Sequence, residues 1–153
     1  MPRVQREANV TWEGNVARGD GTITAASGAF EKLPYSLASR IERPEGKTSP
    51  EELLAAAHAG CYAMSLAGEL AGRSSAPEHL DVRAVVTLDQ VADGSHRIVA
   101  SELHARARVT GVTEGELQEA AEAADKGCPL SALIEASAQV TVKATLEGGS
   151  NGD

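Results

Sequence analysis

The chain has 153 residues, 42% of them apolar and 24% charged, and a formal net charge of −8 at pH 7. Such a chain can bury one core, so a single ordinary globular domain is expected over 1–147, not a fibrous or disordered chain. The negative charge repels phosphate backbones and anionic lipid, which speaks against nucleic acid and membrane as partners. No run approaches the roughly 18 consecutive apolar residues of a membrane span, and the opening Met-Pro-Arg-Val-Gln-Arg-Glu-Ala lacks the apolar core of a signal peptide. The expected location is therefore the cytoplasm. Structural disulfides are rare there, so Cys61 and Cys128 read as redox, metal or core residues before they read as a staple.

The first third reads as three short antiparallel strands, at Asn9–Gly14, Gly21–Phe30 and Tyr35–Ile41, punctuated by Gly19-Asp20-Gly21 and Leu33-Pro34. Ser49-Pro50-Glu51-Glu52 then combines an N-cap serine, a first-turn proline and a glutamate placed for a capping box, so a helix begins here. It runs to about Gly72 with almost no charge, the composition of a central helix buried on every face. Leu80–Val91 and His96–Val109 have strand composition around an Asp93-Gly94 hairpin loop. Thr113-Glu114-Gly115-Glu116 opens a second helix that stops at Gly127, Pro129 opens a third over Leu130–Ala136, and Gln139–Leu146 alternates as a closing strand. The tail at 148–153 is expected to be disordered. The order predicts an α+β protein with antiparallel sheets around a long buried helix.

Cys61 sits mid-helix among alanines, where the bland reading is a small buried hydrophobe. Cys128 stands between a helix-stopping glycine and a proline, a junction at which a side chain can face a cleft. Two such thiols suit peroxide reduction. One attacks as thiolate and becomes a sulfenic acid, and the second condenses with it to a disulfide that an external dithiol reopens. Burial raises a thiol pKa, and Cys61 lies far from its helix N-terminus, so a neighbouring cation is chemically required.

The run Thr48-Ser49-Pro50-Glu51-Glu52-Leu53-Leu54-Ala55-Ala56-Ala57-His58-Ala59-Gly60-Cys61, with Lys126-Gly127-Cys128-Pro129-Leu130-Ser131, resembles the osmotically inducible protein C (OsmC) family and its organic hydroperoxide resistance (Ohr) relatives. The resemblance extends through Trp12-Glu13-Gly14 and Arg18-Gly19-Asp20-Gly21-Thr22, covers Ala8 to Leu146, and favours the OsmC branch. It implies an intertwined homodimer with active sites at the interface. It also implies a thiol peroxidase of oxidative and osmotic stress defence that reduces organic hydroperoxides, with a lipoyl-type or small-thiol reductant and no cofactor or metal. The peroxidatic and resolving cysteines map onto Cys61 and Cys128, and the catalytic arginine and glutamate onto Arg40 and Glu51. In the sister branch the arginine sits at the place of Arg18. Ser49 stands where asparagine is common and Tyr62 where phenylalanine is frequent, and neither change touches the chemistry.

Glu51 and Cys61 are ten positions apart on one predicted helix, about 15 Å along its axis, so they cannot touch within it. If Glu51 orients an arginine beside Cys61, the simplest source is a partner subunit across a two-fold axis. From the residues alone, Glu51 reads as a first-turn charge that favours the helix dipole, and Arg40 as a surface charge. Leu54, Met64 and Leu66 could line an apolar pocket, although core packing is the commoner role. Two rival functions stay open. One is a metal-binding regulator using His58, Cys61 and Cys128, although no Cys-x-x-Cys supports it; the other is a redox sensor that oxidises without turnover.

Overall fold

The computed structural model describes residues 3–148. Of the tail expected to be disordered, 149–153 lie outside the described residues. The elements are β1 (Ala8–Glu13), β2 (Asp20–Ala25), β3 (Leu33–Tyr35), α1 (Leu37–Ile41), α2 (Pro50–Gly72), β4 (His79–Gln90), β5 (His96–Arg108), α3 (Glu114–Gly127), α4 (Pro129–Glu135) and β6 (Gln139–Leu146). They fall into two compact units that divide between Leu53 and Leu54.

In the first unit β1, β2 and β3 form an antiparallel sheet in that order. Its register sets Trp12 and Tyr35 on either side of Gly21. The extended segment expected at Tyr35–Ile41 ends at Tyr35, and α1 replaces the rest of it. Ser36 and Ser39 form a reciprocal capping box, with Ser39 N–H donating to Ser36 Oγ at 3.1 Å and Ser36 N–H to Ser39 Oγ at 2.9 Å. Serines three apart satisfy a helix start, and that local gain outweighs the weak alternation of the segment. Ser39 Oγ also donates to Thr48 O at 2.8 Å and so ties α1 to the chain entering α2. The predicted cap of α2 is present: Ser49 Oγ accepts from Glu52 N–H at 3.1 Å.

In the second unit β4 and β5 are an antiparallel hairpin, and β6 lies beside β5. The pairing of β5 with β6 is parallel, which corrects the expectation of purely antiparallel sheets. The chain leaves β5, crosses through α3 and α4, and returns in the same direction, the connection that a parallel pair requires. Leu103, Ala105 and Ala107 of β5 pack with Leu117, Ala120, Ala121 and Ala124 of α3 and with Tyr62, Leu66 and Leu70 of α2 in one buried cluster. The expectation that α2 is buried on every face is also corrected. Its buried residues are His58, Tyr62, Leu66 and Leu70. That spacing of four keeps one stripe of a helix against a core. The opposite face carries Gly60, Met64 and Gly68, and Met64 is 79% exposed in the single chain.

Candidate active site

Cys128 is at once the C-cap of α3 and the N-cap of α4, because Gly127 ends one helix and Pro129 at N1 begins the next. Its extended backbone, φ −84° and ψ 114°, turns the side chain back towards α2. There it meets Cys61, and the two free sulfurs lie 3.4 Å apart. Sequence separates these residues by 67 positions, and the fold brings them into contact. Cys128 is 1% exposed, whereas Cys61 is half-buried. A dissolved oxidant therefore reaches Cys61 first.

The two thiols are pushed apart in acidity. Burial raises the Cys61 pKa, a backbone hydrogen bond from Leu130 opposes this, and the adjacent Cys128 raises it further. Burial also works against ionisation of Cys128, but the polar groups of Ser131 and the Leu130 backbone beside it, together with the hydrogen-bonded Cys61, outweigh it and lower the pKa. Within this unit Cys128 is the more readily ionised thiol and the less accessible one.

His58 lies one helical turn before Cys61 and is fully buried. Its Nδ1 is 2.6 Å from Ser101 Oγ of β5 and its Nε2 is 2.8 Å from Ser131 Oγ of α4. Burial lowers its pKa, with Asp125 pulling the other way, so the ring is neutral. Both ring nitrogens are occupied by hydroxyls, which removes His58 from any shared ligand set with the thiols. Among the described residues no group of three side chains is disposed to hold a metal. Tyr62, one residue after Cys61, donates from its hydroxyl to Ala121 O at 3.1 Å; burial, then Asp125 and Cys128, raise its pKa.

Arg40 and Glu51 meet in the first unit. Arg40 Nε lies 2.9 and 3.1 Å from the two Glu51 oxygens, and Nη2 lies 2.7 Å from Oε1. This is a forked pair that fixes the guanidinium plane and leaves the Nη1 donors uncommitted among the described residues. Arg40 sits in the last turn of α1 and not on the strand expected over Tyr35–Ile41, it is a surface charge that is also paired, and Glu51 is an ion-pair partner as well as a first-turn charge. Arg18 lies in the β1–β2 turn, where its backbone N–H donates to Asn15 Oδ1 at 2.9 Å, and its side chain forms no ion pair among the described residues.

Arg40 borders a cavity of about 210 Å³ whose other walls are Trp12, Val16, Tyr35, Ser36, Leu37 and Pro50. Trp12 and Tyr35 face each other with ring centroids 5.4 Å apart. They close over Gly21, where a Cβ would stand 2.6 Å from Tyr35 Cε1 and 2.9 Å from Trp12 Cε3. Of the three residues weighed for an apolar pocket, Leu66 is fully buried in the core and Met64 is exposed. The aromatic wall was legible only as a lone tryptophan and a glycine in strand sequence. Gly21→Ala is expected to destabilise the chain by about 1–3 kcal/mol through overpacking and to collapse the cavity wall, as thermal unfolding and hydroperoxide turnover would report.

A family model described as OsmC-like protein matches residues 43–143. The chain belongs to the OsmC-like family. It is 34% identical over 133 residues to the peroxiredoxin OsmC of Escherichia coli (strain K12), covering 87% of this chain and 92% of that protein. The peroxiredoxin OsmC of Shigella flexneri matches with the same identity, 34%, and the same coverage. The fold is that of the organic hydroperoxide resistance protein OhrB of Bacillus subtilis, with TM-score 0.72, 23% identity, and coverage of 91% of this chain and 98% of that one. An OsmC-like protein of unknown function from Vibrio cholerae O1 biovar eltor gives TM-score 0.75 at 18% identity, covering 94% of this chain and 100% of that one.

Proposed function

We propose that this chain is a cysteine-based peroxidase that reduces organic hydroperoxides to alcohols, with Cys61 as attacker and Cys128 as resolver. The observation that carries the reading is the contact of a half-buried with a fully buried thiol, 3.4 Å apart, in a member of this family. The Cys61 thiolate attacks the distal peroxide oxygen, the O–O bond breaks, and the departing alkoxide takes a proton to become the alcohol. Cys61 is left as a sulfenic acid. Cys128 then attacks the Cys61 sulfur, hydroxide leaves and is protonated to water, and an external dithiol, lipoyl-type or small, reduces the disulfide by exchange.

Burial disfavours the thiolate that this reaction needs at Cys61, so a cation must favour it. Arg40, oriented by Glu51, is that cation, and the apolar cavity it borders suits an alkyl or aryl peroxide better than hydrogen peroxide. The pair acts on Cys61 of a second copy in a homodimer, as the distance along one helix from Glu51 to Cys61 suggests. The exposed face of α2 at Gly60, Met64 and Gly68, with the large apolar Met64 between two glycines, suits such a partner. A stable, fully active monomer would refute this arrangement. The two units work as one OsmC-like domain over residues 1–147, and the alignment to the Escherichia coli relative, 133 residues long, spans both. No helix among the described residues is long and apolar enough to cross a membrane, and the cytoplasm fits a disulfide that must be reduced in every cycle.

The test is turnover of cumene and tert-butyl hydroperoxide against hydrogen peroxide with a dithiol reductant. Many turnovers, faster with the organic peroxides, are expected. A single oxidation without turnover would make the pair a sensor instead.

A further inference from the structure

Among the described residues two side-chain hydrogen bonds join α2 to the start of α4. One is the contact of the Cys61 and Cys128 sulfurs, and the other joins His58 Nε2 to Ser131 Oγ at 2.8 Å. They lie one helical turn apart on both helices, because His58 precedes Cys61 by three residues on α2 and Ser131 follows Cys128 by three. His58 is held from its other side as well, with Nδ1 2.6 Å from Ser101 Oγ on β5, and all three residues are fully buried. Either tautomer of the ring makes both bonds, since each serine hydroxyl can donate or accept. By contrast α4 has seven residues, too few to hold a helix by themselves, and its N-cap Cys128 makes no side-chain capping bond. Its first turn depends on contacts with the rest of the unit.

We propose that His58 is a positioning residue for disulfide formation: its bond to Ser131 pins the first turn of α4, and with it Cys128, against α2 while Cys61 changes oxidation state. The inference rests on the assignment of Cys61 and Cys128 as a redox pair. The contact between the sulfurs is altered as soon as Cys61 acquires its oxygen, whereas the bond from His58 to Ser131 takes no part in the chemistry. In the resolving step the electron pair of the Cys128 thiolate forms the S–S bond and the S–O bond of Cys61 breaks. The departing hydroxide takes the proton that Cys128 released and leaves as water. The sulfurs must close from 3.4 Å to about 2.0 Å, a shift of about 1.4 Å. A turn already pinned to α2 makes that closure without being ordered anew. Once the pin is cut, α4 is looser in the dithiol than in the disulfide, and bond formation carries the cost of ordering it.

The disulfide equilibrium tests this, read by thiol alkylation and intact mass after incubation in mixtures of reduced and oxidised dithiothreitol. Ser131→Ala should lower the ratio of disulfide to dithiol about tenfold, a potential about 30 mV higher. After one equivalent of cumene hydroperoxide its sulfenic acid should form at the wild-type rate, while disulfide formation slows by about the same tenfold. Ser101→Ala removes an equally buried bond of the same imidazole but leaves α2 joined to α4, so its ratio should stay within about twofold of the wild type, or about 10 mV. Should loss of a serine hydroxyl unfold the chain, His58→Gln and His58→Asn give the same contrast. Glutamine carries its amide out to the place of Nε2 and keeps the bond to Ser131, whereas the asparagine amide stops at the place of Nδ1 and keeps the bond to Ser101. The glutamine variant should match the wild type, and the asparagine variant should show the shift of Ser131→Ala. An unchanged potential in Ser131→Ala, equal shifts in the two serine variants, or equal values for the two His58 variants would overturn the proposal. The equilibrium needs no peroxide, so a failure of hydroperoxide turnover would defeat the peroxidase reading and still leave the role of His58 decided.

Discussion

Cys61→Ser is expected to abolish hydroperoxide turnover, a loss on the order of 10⁴-fold or more, while Cys128→Ser still forms the sulfenic acid with one peroxide per subunit but does not turn over. A serine hydroxyl is neither ionised at neutral pH nor oxidised by peroxide, so nothing at position 61 can start the cycle. Without Cys128 the sulfenic acid forms but has no thiol in contact. It persists, and excess peroxide drives it to the irreversible sulfinic and sulfonic acids. Intact-mass measurement after one and after many equivalents of cumene hydroperoxide distinguishes these states. The opposite assignment draws on the lower pKa of Cys128, and it predicts that Cys61→Ser keeps the single oxidation. Access decides against it, because a sulfur that is 1% exposed is screened from the oxidant by the more accessible one. A lowered pKa is equally what a resolving thiol needs, since it must attack as a thiolate at the next step. If both variants turn over like the wild type, the cysteines are structural and the peroxidase reading falls.

Much of this arrangement was legible in residues whose partners lie close in sequence. The cap at Ser49-Pro50-Glu51-Glu52 and the box at Thr113–Glu116 start helices where they were expected, and the Thr113 box closes with both reciprocal bonds. Gln139–Leu146 is a strand over the expected residues. The misread features depend on distant partners or on competition between local signals. Ser36 and Ser39 nucleate α1 inside a segment whose alternation suggested a strand. The parallel pairing of β6 follows from the path of α3 and α4, which no local pattern of β6 encodes. The surroundings of His58 were hidden for the same reason: its serine partners are 43 and 73 residues away. Even the pair of Arg40 with Glu51 came from family resemblance, because a first-turn glutamate is normally explained by the helix dipole alone.

Arg40→Met is expected to lower kcat/KM for organic hydroperoxides by about 10²–10³, the usual effect of deleting one preorganised donor at a site of developing charge. Glu51→Gln should cost less, about tenfold, because the amide still accepts one hydrogen bond while the charge that holds the fork is gone. Arg40→Lys should not restore the rate, since an ammonium cannot span both carboxylate oxygens and still offer donors in the guanidinium plane. Arg18→Met is the control: a loss there with Arg40→Met spared would move the catalytic cation to the β1–β2 turn. Mixing separately inactive Cys61→Ser and Arg40→Met subunits tests where the pair acts. If Arg40 serves the Cys61 of its partner, each mixed dimer regains one complete site, and random exchange between equal amounts restores about a quarter of wild-type activity. If Arg40 serves its own chain, both sites of every mixed dimer stay broken and exchange restores nothing.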